Sequence, residues 1–225
     1  MIETFATAAL AADAATAALV AQLAPPGPKR LVVTGGSSPG AVYDRLAAAD
    51  LDWSRVTVTL SDERFVEADA PESNERLVRE RLLRSRAASA HFVSLKGAGP
   101  TPEADALAAE PAIQALRPFD AVLVGMGEDG HIASLFPDTP GLAAALDPVG
   151  GPAVIVVARA GLAPYVPRIS LTLAALLDSR MVLLLVSGEA KRALIDRVTA
   201  DPTFAPPVAA LLRQAKTPVR VIWSP

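Results

Sequence analysis

Cysteine is missing from all 225 residues. Its absence excludes disulfides, thiolate nucleophiles and cysteine-ligated zinc together. A basic excess is missing too. Against 21 Lys and Arg stand 24 Asp and Glu, a formal net charge of −3, and the charges are spread along the chain rather than gathered into a stripe, so no nucleic-acid footprint is present. Although 51 % of the residues are hydrophobic, no stretch approaches the roughly 20 uninterrupted apolar residues that a membrane span requires. Met1-Ile2-Glu3 lacks the basic segment of a signal peptide, and Asp13 interrupts the apolar run behind it. A soluble, cytoplasmic chain is expected, with neither a nucleic-acid nor a membrane partner.

Length alone allows about 1.5 domains. The 20 Pro and 14 Gly fall between periodic segments as punctuation and leave no separable linker, so one domain spanning 1–225 is expected. Strands are expected at 31–33, 56–60, 121–124, 153–158, 181–186 and 219–223, with a short one at 91–95. Helices are expected over 4–23, from Gly40 to about Ala49, from a Ser73 cap to about Leu83, and over 103–116, 170–177, 189–198 and 208–214. Strands that are apolar on both faces and alternate with helices describe a doubly wound α/β fold, its mainly parallel sheet covered by helices on both faces. In such sheets ligands sit outside the carboxyl ends of the strands. Four of those ends carry unusual residues.

The first is Thr34-Gly35-Gly36-Ser37-Ser38-Pro39-Gly40, between a strand and a helix. Its backbone N–H groups suit a phosphate, but the Gly-Lys-Ser/Thr ending of a nucleotide-triphosphate loop is absent. The second is Asp62-Glu63-Arg64, read as a loop after the 56–60 strand and followed at some distance by Ser73-Asn74. Arginine and carboxylate together fix hydroxyl or phosphate geometry. The third is Gly125-Met126-Gly127-Glu128-Asp129-Gly130-His131, continuing to Phe136-Pro137. Its first six residues match the G-x-G-x-x-G dinucleotide pattern. Pro137 limits any helix begun at Gly130 to roughly two turns, and the 153–158 strand runs into Arg159 rather than an acidic residue, so that reading is rejected. What remains is a carboxylate two residues from an imidazole. The chain has two histidines; His91 begins an apolar strand and is read as structural, whereas His131 suits a general base, with a nearby Asp129 fixing its tautomer or raising its pKa, or else merely stabilises the turn. The fourth group is basic: Arg168, at an expected helix start, and Lys191, after Ser187-Gly188. Both suit an anion near helix N-termini. Asp129 and His131 alone fall short of a metal-ligand set, and neither a metal nor a cofactor is expected.

Taken in order, these blocks resemble the α/β-type 6-phosphogluconolactonases, whose fold is shared with glucosamine-6-phosphate deaminase and ribose-5-phosphate isomerase. The stretch from Asp129 to Pro137 is the most specific part. The resemblance runs from about Leu31 to Lys191 and implies hydrolysis of 6-phospho-D-glucono-1,5-lactone in the oxidative pentose phosphate pathway. It further implies His131 as the base, Asp129 as its support or a binder of sugar hydroxyls, and Arg64 as stabiliser of oxyanion charge, with backbone N–H groups near Gly127 as an alternative. Gly35, Gly36, Ser37, Arg168 and Lys191 would hold the 6-phosphate, and Asp62 would contact substrate. The similar deaminases carry Glu immediately before the Pro, where this chain has Phe136, and Tyr after the Asp-Glu pair, where it has Arg64. A monomeric enzyme acting on a small sugar-phosphate lactone is therefore expected. An NADP-linked oxidoreductase and a non-catalytic sugar-phosphate binder are the alternatives.

Overall fold

The computed structural model describes residues 2–158 and 165–225; Met1 and Arg159 lie outside them. Seven strands form one parallel sheet: β1 (Ile2–Thr4), β2 (Lys29–Val33), β3 (Val56–Leu60), β5 (His91–Val93), β6 (Ala121–Val124), β9 (Val182–Ser187) and β10 (Val219–Ser224), in the spatial order β1-β10-β9-β6-β2-β3-β5. All four residues of β6 are buried, as are the first five of β9. Such continuous apolar runs fit strands covered on both faces. The chain winds outward from β2 to β3 and β5, then returns to the other side of β2 at β6 and winds the opposite way. The crevice between β2 and β6 is thus the topological switch point. At the far end of those strands a buried Lys29–Asp120 ion pair (3.2 Å) and the Arg30 N–H donating to Asp120 (2.9 Å) help fix their register.

Helices flank the sheet. α1 (Ala8–Leu23) packs across β6, β9 and β10; α2 (Gly40–Ala47) lies against α1, and α7 (Glu189–Ala200) against β9. Short polar side chains start several of them, as N-caps do: Thr7 accepts from the Leu10 N–H (3.3 Å) ahead of α1, Ser73 from Arg76 (3.2 Å) ahead of α3 (Asn74–Arg81), and Thr101 from Ala104 (3.2 Å) ahead of α4 (Pro102–Leu116). α5 (Leu142–Ala145), α6 (Leu173–Leu176) and α8 (Pro207–Arg213) are shorter.

Expectations are corrected at two places in the fold. The helix expected over 4–23 starts only at Ala8, because Ile2–Thr4 adds an edge strand parallel to β10; three residues carry too little periodicity to announce a strand. The second correction bears on the site. A separate antiparallel sheet, ordered β4-β8-β7, is built from β4 (Asp62–Arg64), β7 (Val154–Val157) and β8 (Arg168–Leu171). Asp62-Glu63-Arg64 is therefore strand, not loop. The helix expected over 170–177 shrinks to α6, capped by Thr172, because the segment before it is drawn between β4 and β7. Arg168 accordingly sits within a strand and not at a helix start. Tertiary pairing overrode local propensity there.

Candidate active site

At the carboxyl ends of β2 and β6, where α/β sheets place their ligands, the structure opens into a cleft of about 190 Å³. The Gly-rich turn forms one wall. Gly36 has φ +94°, which an L side chain rarely adopts, and a Cβ on Gly35 would lie 1.9 Å from the Asn74 side-chain oxygen. The turn's first residue is clamped by a buried tyrosine: the Thr34 N–H donates to the Tyr43 hydroxyl (3.0 Å), which donates back to the Thr34 carbonyl. Burial pushes the Tyr43 phenol far up, so it stays neutral. Ser37 lines the cleft beside both glycines.

The second wall follows from strand alternation. Successive side chains of a strand point to opposite faces, so Asp62 and Arg64 face the cleft together and Glu63 faces away. Glu63 accepts the Asn74 and Glu75 N–H groups (2.8 and 2.7 Å) and the Ser73 hydroxyl (2.9 Å), and its own neighbour's Arg64 N–H (2.7 Å). It binds the start of α3, where backbone donors lack helical partners. Burial raises the Glu63 carboxyl, against these four hydrogen bonds, which pull it down. Asp62 is also buried and accepts hydroxyls from Ser61 (2.8 Å) and Ser134 (2.7 Å).

Arg64 and Arg168 are register partners across the β4–β8 ladder, and both line the cleft. Like charges directly opposite each other destabilise a sheet. Neither guanidinium forms a salt bridge among the described residues, and the Nε of each is buried without a hydrogen-bond partner. Burial and the adjacent Arg64 charge hold Arg168 below the usual arginine value. Lys191, in the first turn of α7, adds a third cation to the same cleft. The arrangement is suited to an anion.

The turn after β6 carries the imidazole. His131 Nδ1 lies 2.6 Å from Asp129 Oδ1, which also accepts the His131 N–H (3.1 Å). The Gly127 N–H donates to the His131 carbonyl (2.9 Å), the Gly130 N–H to the Gly127 carbonyl (3.1 Å), and Gly130 has φ +82°. A Cβ on Gly127 would fall 2.2 Å from the imidazole ring. The second glycine of the G-x-G-x-x-G pattern thus makes room for a histidine rather than for a pyrophosphate, and no helix starts until Leu142. Burial raises the Asp129 carboxyl, but hydrogen bonds from the His131 ring and N–H outweigh it and leave it below the ordinary carboxylate value. Asp129 stands behind His131 and does not itself line the cleft.

Gly35, Gly36, Ser37, Asp62, Arg64, Gly127, His131, Arg168 and Lys191, dispersed over the sequence, all border this one cleft. His91 is exposed on the edge strand β5 and does not border it. Three further neighbours belong to the site: Asn74, which packs against Gly35 and donates to the Asp62 carbonyl (2.8 Å); Ser134, which holds Asp62; and Phe136, whose ring centroid is 4.3 Å from that of His131. Sequence reasoning gave Ser134 no role, and it noted Asn74 and Phe136 without assigning them a contact. Among the described residues no group of three or more His, Asp or Glu could hold a metal ion, and no helix is long and apolar enough to cross a membrane.

Comparison with known proteins shows the family. The profile of the family described as glucosamine-6-phosphate isomerases/6-phosphogluconolactonase matches residues 3–223. The 6-phosphogluconolactonase of Caulobacter vibrioides is 45 % identical over 95 % of this chain and 91 % of its own length, and that of Rhizobium meliloti is 41 % identical over 95 % and 92 %. The crystal structure of a 6-phosphogluconolactonase from Shewanella baltica superposes with a TM-score of 0.93 at 39 % identity, covering 100 % of this chain and 97 % of the other. A profile match over nearly the whole chain, with relatives of this identity and coverage, makes it a member of the glucosamine-6-phosphate isomerase/6-phosphogluconolactonase family of enzymes.

Proposed function

We propose that this enzyme hydrolyses 6-phospho-D-glucono-1,5-lactone to 6-phospho-D-gluconate with His131 as general base. The observation that carries the reading is His131, backed by Asp129, on the wall of a cleft that also holds three cations. A carboxylate on Nδ1 retains the proton there and leaves Nε2 with its lone pair for water. The lactone is a cyclic carboxylic ester. His131 Nε2 takes a proton from water as its oxygen bonds to C1; the C1–O5 bond then breaks, and the imidazolium returns the proton to the departing ring oxygen. Arg64 stabilises the oxyanion that forms between these steps. Arg168, Lys191 and the Gly35-Gly36-Ser37 turn hold the 6-phosphate and anchor the substrate away from its reacting end. Asp62 accepts a sugar hydroxyl.

The family description spans isomerases as well as lactonases. Phe136 supports the lactonase reading, because the similar deaminases carry a carboxylate at that place and ring opening with proton shuttling needs it. The test is a coupled assay: glucose-6-phosphate dehydrogenase generates the phospholactone and 6-phosphogluconate dehydrogenase reports the product, with and without this protein. Turnover above the spontaneous hydrolysis rate is expected. In the same assay His131→Ala lowers kcat by roughly 10²–10⁴ with KM largely kept; near-normal turnover in that variant removes His131 from the role.

A further inference from the structure

The hydrogen bond to Asp129 fixes one atom of the His131 ring, but rotation about that bond still lets the imidazole plane swing. Phe136 supplies the second contact. Its ring is tilted 44° to the imidazole at 4.3 Å between centroids. The same ring lies beneath Arg168, whose guanidinium carbon is 5.4 Å from its centroid. Among the described residues this is the aromatic contact of Arg168, a side chain whose buried Nε has no hydrogen-bond partner. Behind the cleft, Phe136 is seated on Val157 and Ile155 of β7. Val157 is in turn the register partner of Arg168.

The geometry points to Phe136 as a positioning residue that holds both His131 and Arg168 against one aromatic ring. It sets the distance between the proton-transferring group and the anion-holding group. This deepens the function proposed above and rests on it. An aromatic face suits both neighbours: it gives the imidazole a flat van der Waals wall that competes for neither ring nitrogen, and it attracts a guanidinium without neutralising it. A carboxylate in the same place would pair with Arg168 and spend the charge meant for substrate. The other charged groups around the imidazole come from several elements: Asp129 on its own turn, Asp62 and Arg64 on β4, Arg168 on β8 and Lys191 on α7.

Phe136→Leu keeps an apolar side chain and removes the ring face. Its expected effect is split. kcat falls roughly 10- to 100-fold as the imidazole loses its plane. KM for the phospholactone, and the dissociation constant of 6-phosphogluconate measured by calorimetry without turnover, rise roughly 2- to 30-fold as Arg168 loses its seat. With Arg168→Ala already in place, Phe136→Leu should still lower kcat but no longer change KM. A purely structural role predicts a lower Tm with kcat, KM and product affinity of the folded enzyme within about twofold of wild type, and that result overturns the assignment. So does a KM effect of full size on the Arg168→Ala background. If the leucine variant does not fold, Phe136→Met, closer in volume and without a π face, carries the same expectations. Lack of wild-type turnover would instead refute the lactonase reading itself. Wild-type turnover with unaltered Phe136→Leu constants removes only the role of Phe136.

Discussion

In the proposed reaction a single carboxylate decides which nitrogen of His131 is left to accept a proton. Asp129 is held below the ordinary carboxylate value by the imidazole and by the His131 N–H, against the effect of burial. A depressed carboxyl contributes stability that is present above its unfolded value and lost as pH falls through the folded one, so the contact persists at neutral pH and disappears only in acid, below about pH 4. Asp129→Ala removes the one oxygen that accepts at both the His131 ring and its N–H, so nothing retains the proton on Nδ1 and the tautomer protonated on Nε2, which cannot accept from water, is populated. A fall in kcat of roughly 10²–10⁴ at neutral pH with little change in Tm is expected. Steady-state kinetics beside thermal melts check it; a kcat near wild type would show that Asp129 does not set the tautomer. Gly127 belongs to the same residue-scale logic, because any side chain there meets the ring.

At the scale of elements, three residues of β4 serve two masters. Asp62 and Arg64 border the cleft while Glu63, between them, ties down the start of α3. From the sequence the three read as one polar cluster in a loop, because alternation is invisible until the segment is known to be a strand. The β4–β8 pairing that makes it one joins residues about 106 positions apart, beyond any local pattern. Glu63→Gln sets an amide donor against at least one backbone N–H, at a cost of about 1–3 kcal/mol for each buried group left unpaired. A Tm lower by roughly 3–10 °C is expected, with the substrate constants of the folded enzyme changed far less than by substitution of Arg64. Differential scanning calorimetry and kinetics on one preparation decide it; an unaltered Tm would mean that α3 is anchored otherwise.

On the scale of the whole molecule, the cleft exists because two sheets meet. The parallel sheet brings the Gly-rich turn and the His131 turn to its switch point, and the antiparallel one adds Asp62, Arg64 and Arg168. Two guanidiniums without carboxylate partners in one cleft are costly unless an anion joins them. Arg168→Ala should therefore act mainly on KM for the phosphorylated lactone and erase its preference over unphosphorylated gluconolactone, measured as the ratio of kcat/KM values. A preserved ratio would place the phosphate elsewhere. Much of this was legible beforehand. Parallel strands buried on both faces announce themselves as short apolar runs, glycines mark the turns that follow them, and a carboxylate–imidazole turn lies within a few adjacent residues, so the sequence by itself determined the α/β class, the Gly-rich turn and the Asp129–His131 unit. Only the tertiary structure decided that Arg168 belongs to a strand, that it stands opposite Arg64, that Glu63 turns its back on the cleft and that one phenylalanine touches both the imidazole and a guanidinium. Those relations depend on pairing and packing between distant segments, and the free energy that selects them appears only when the segments meet.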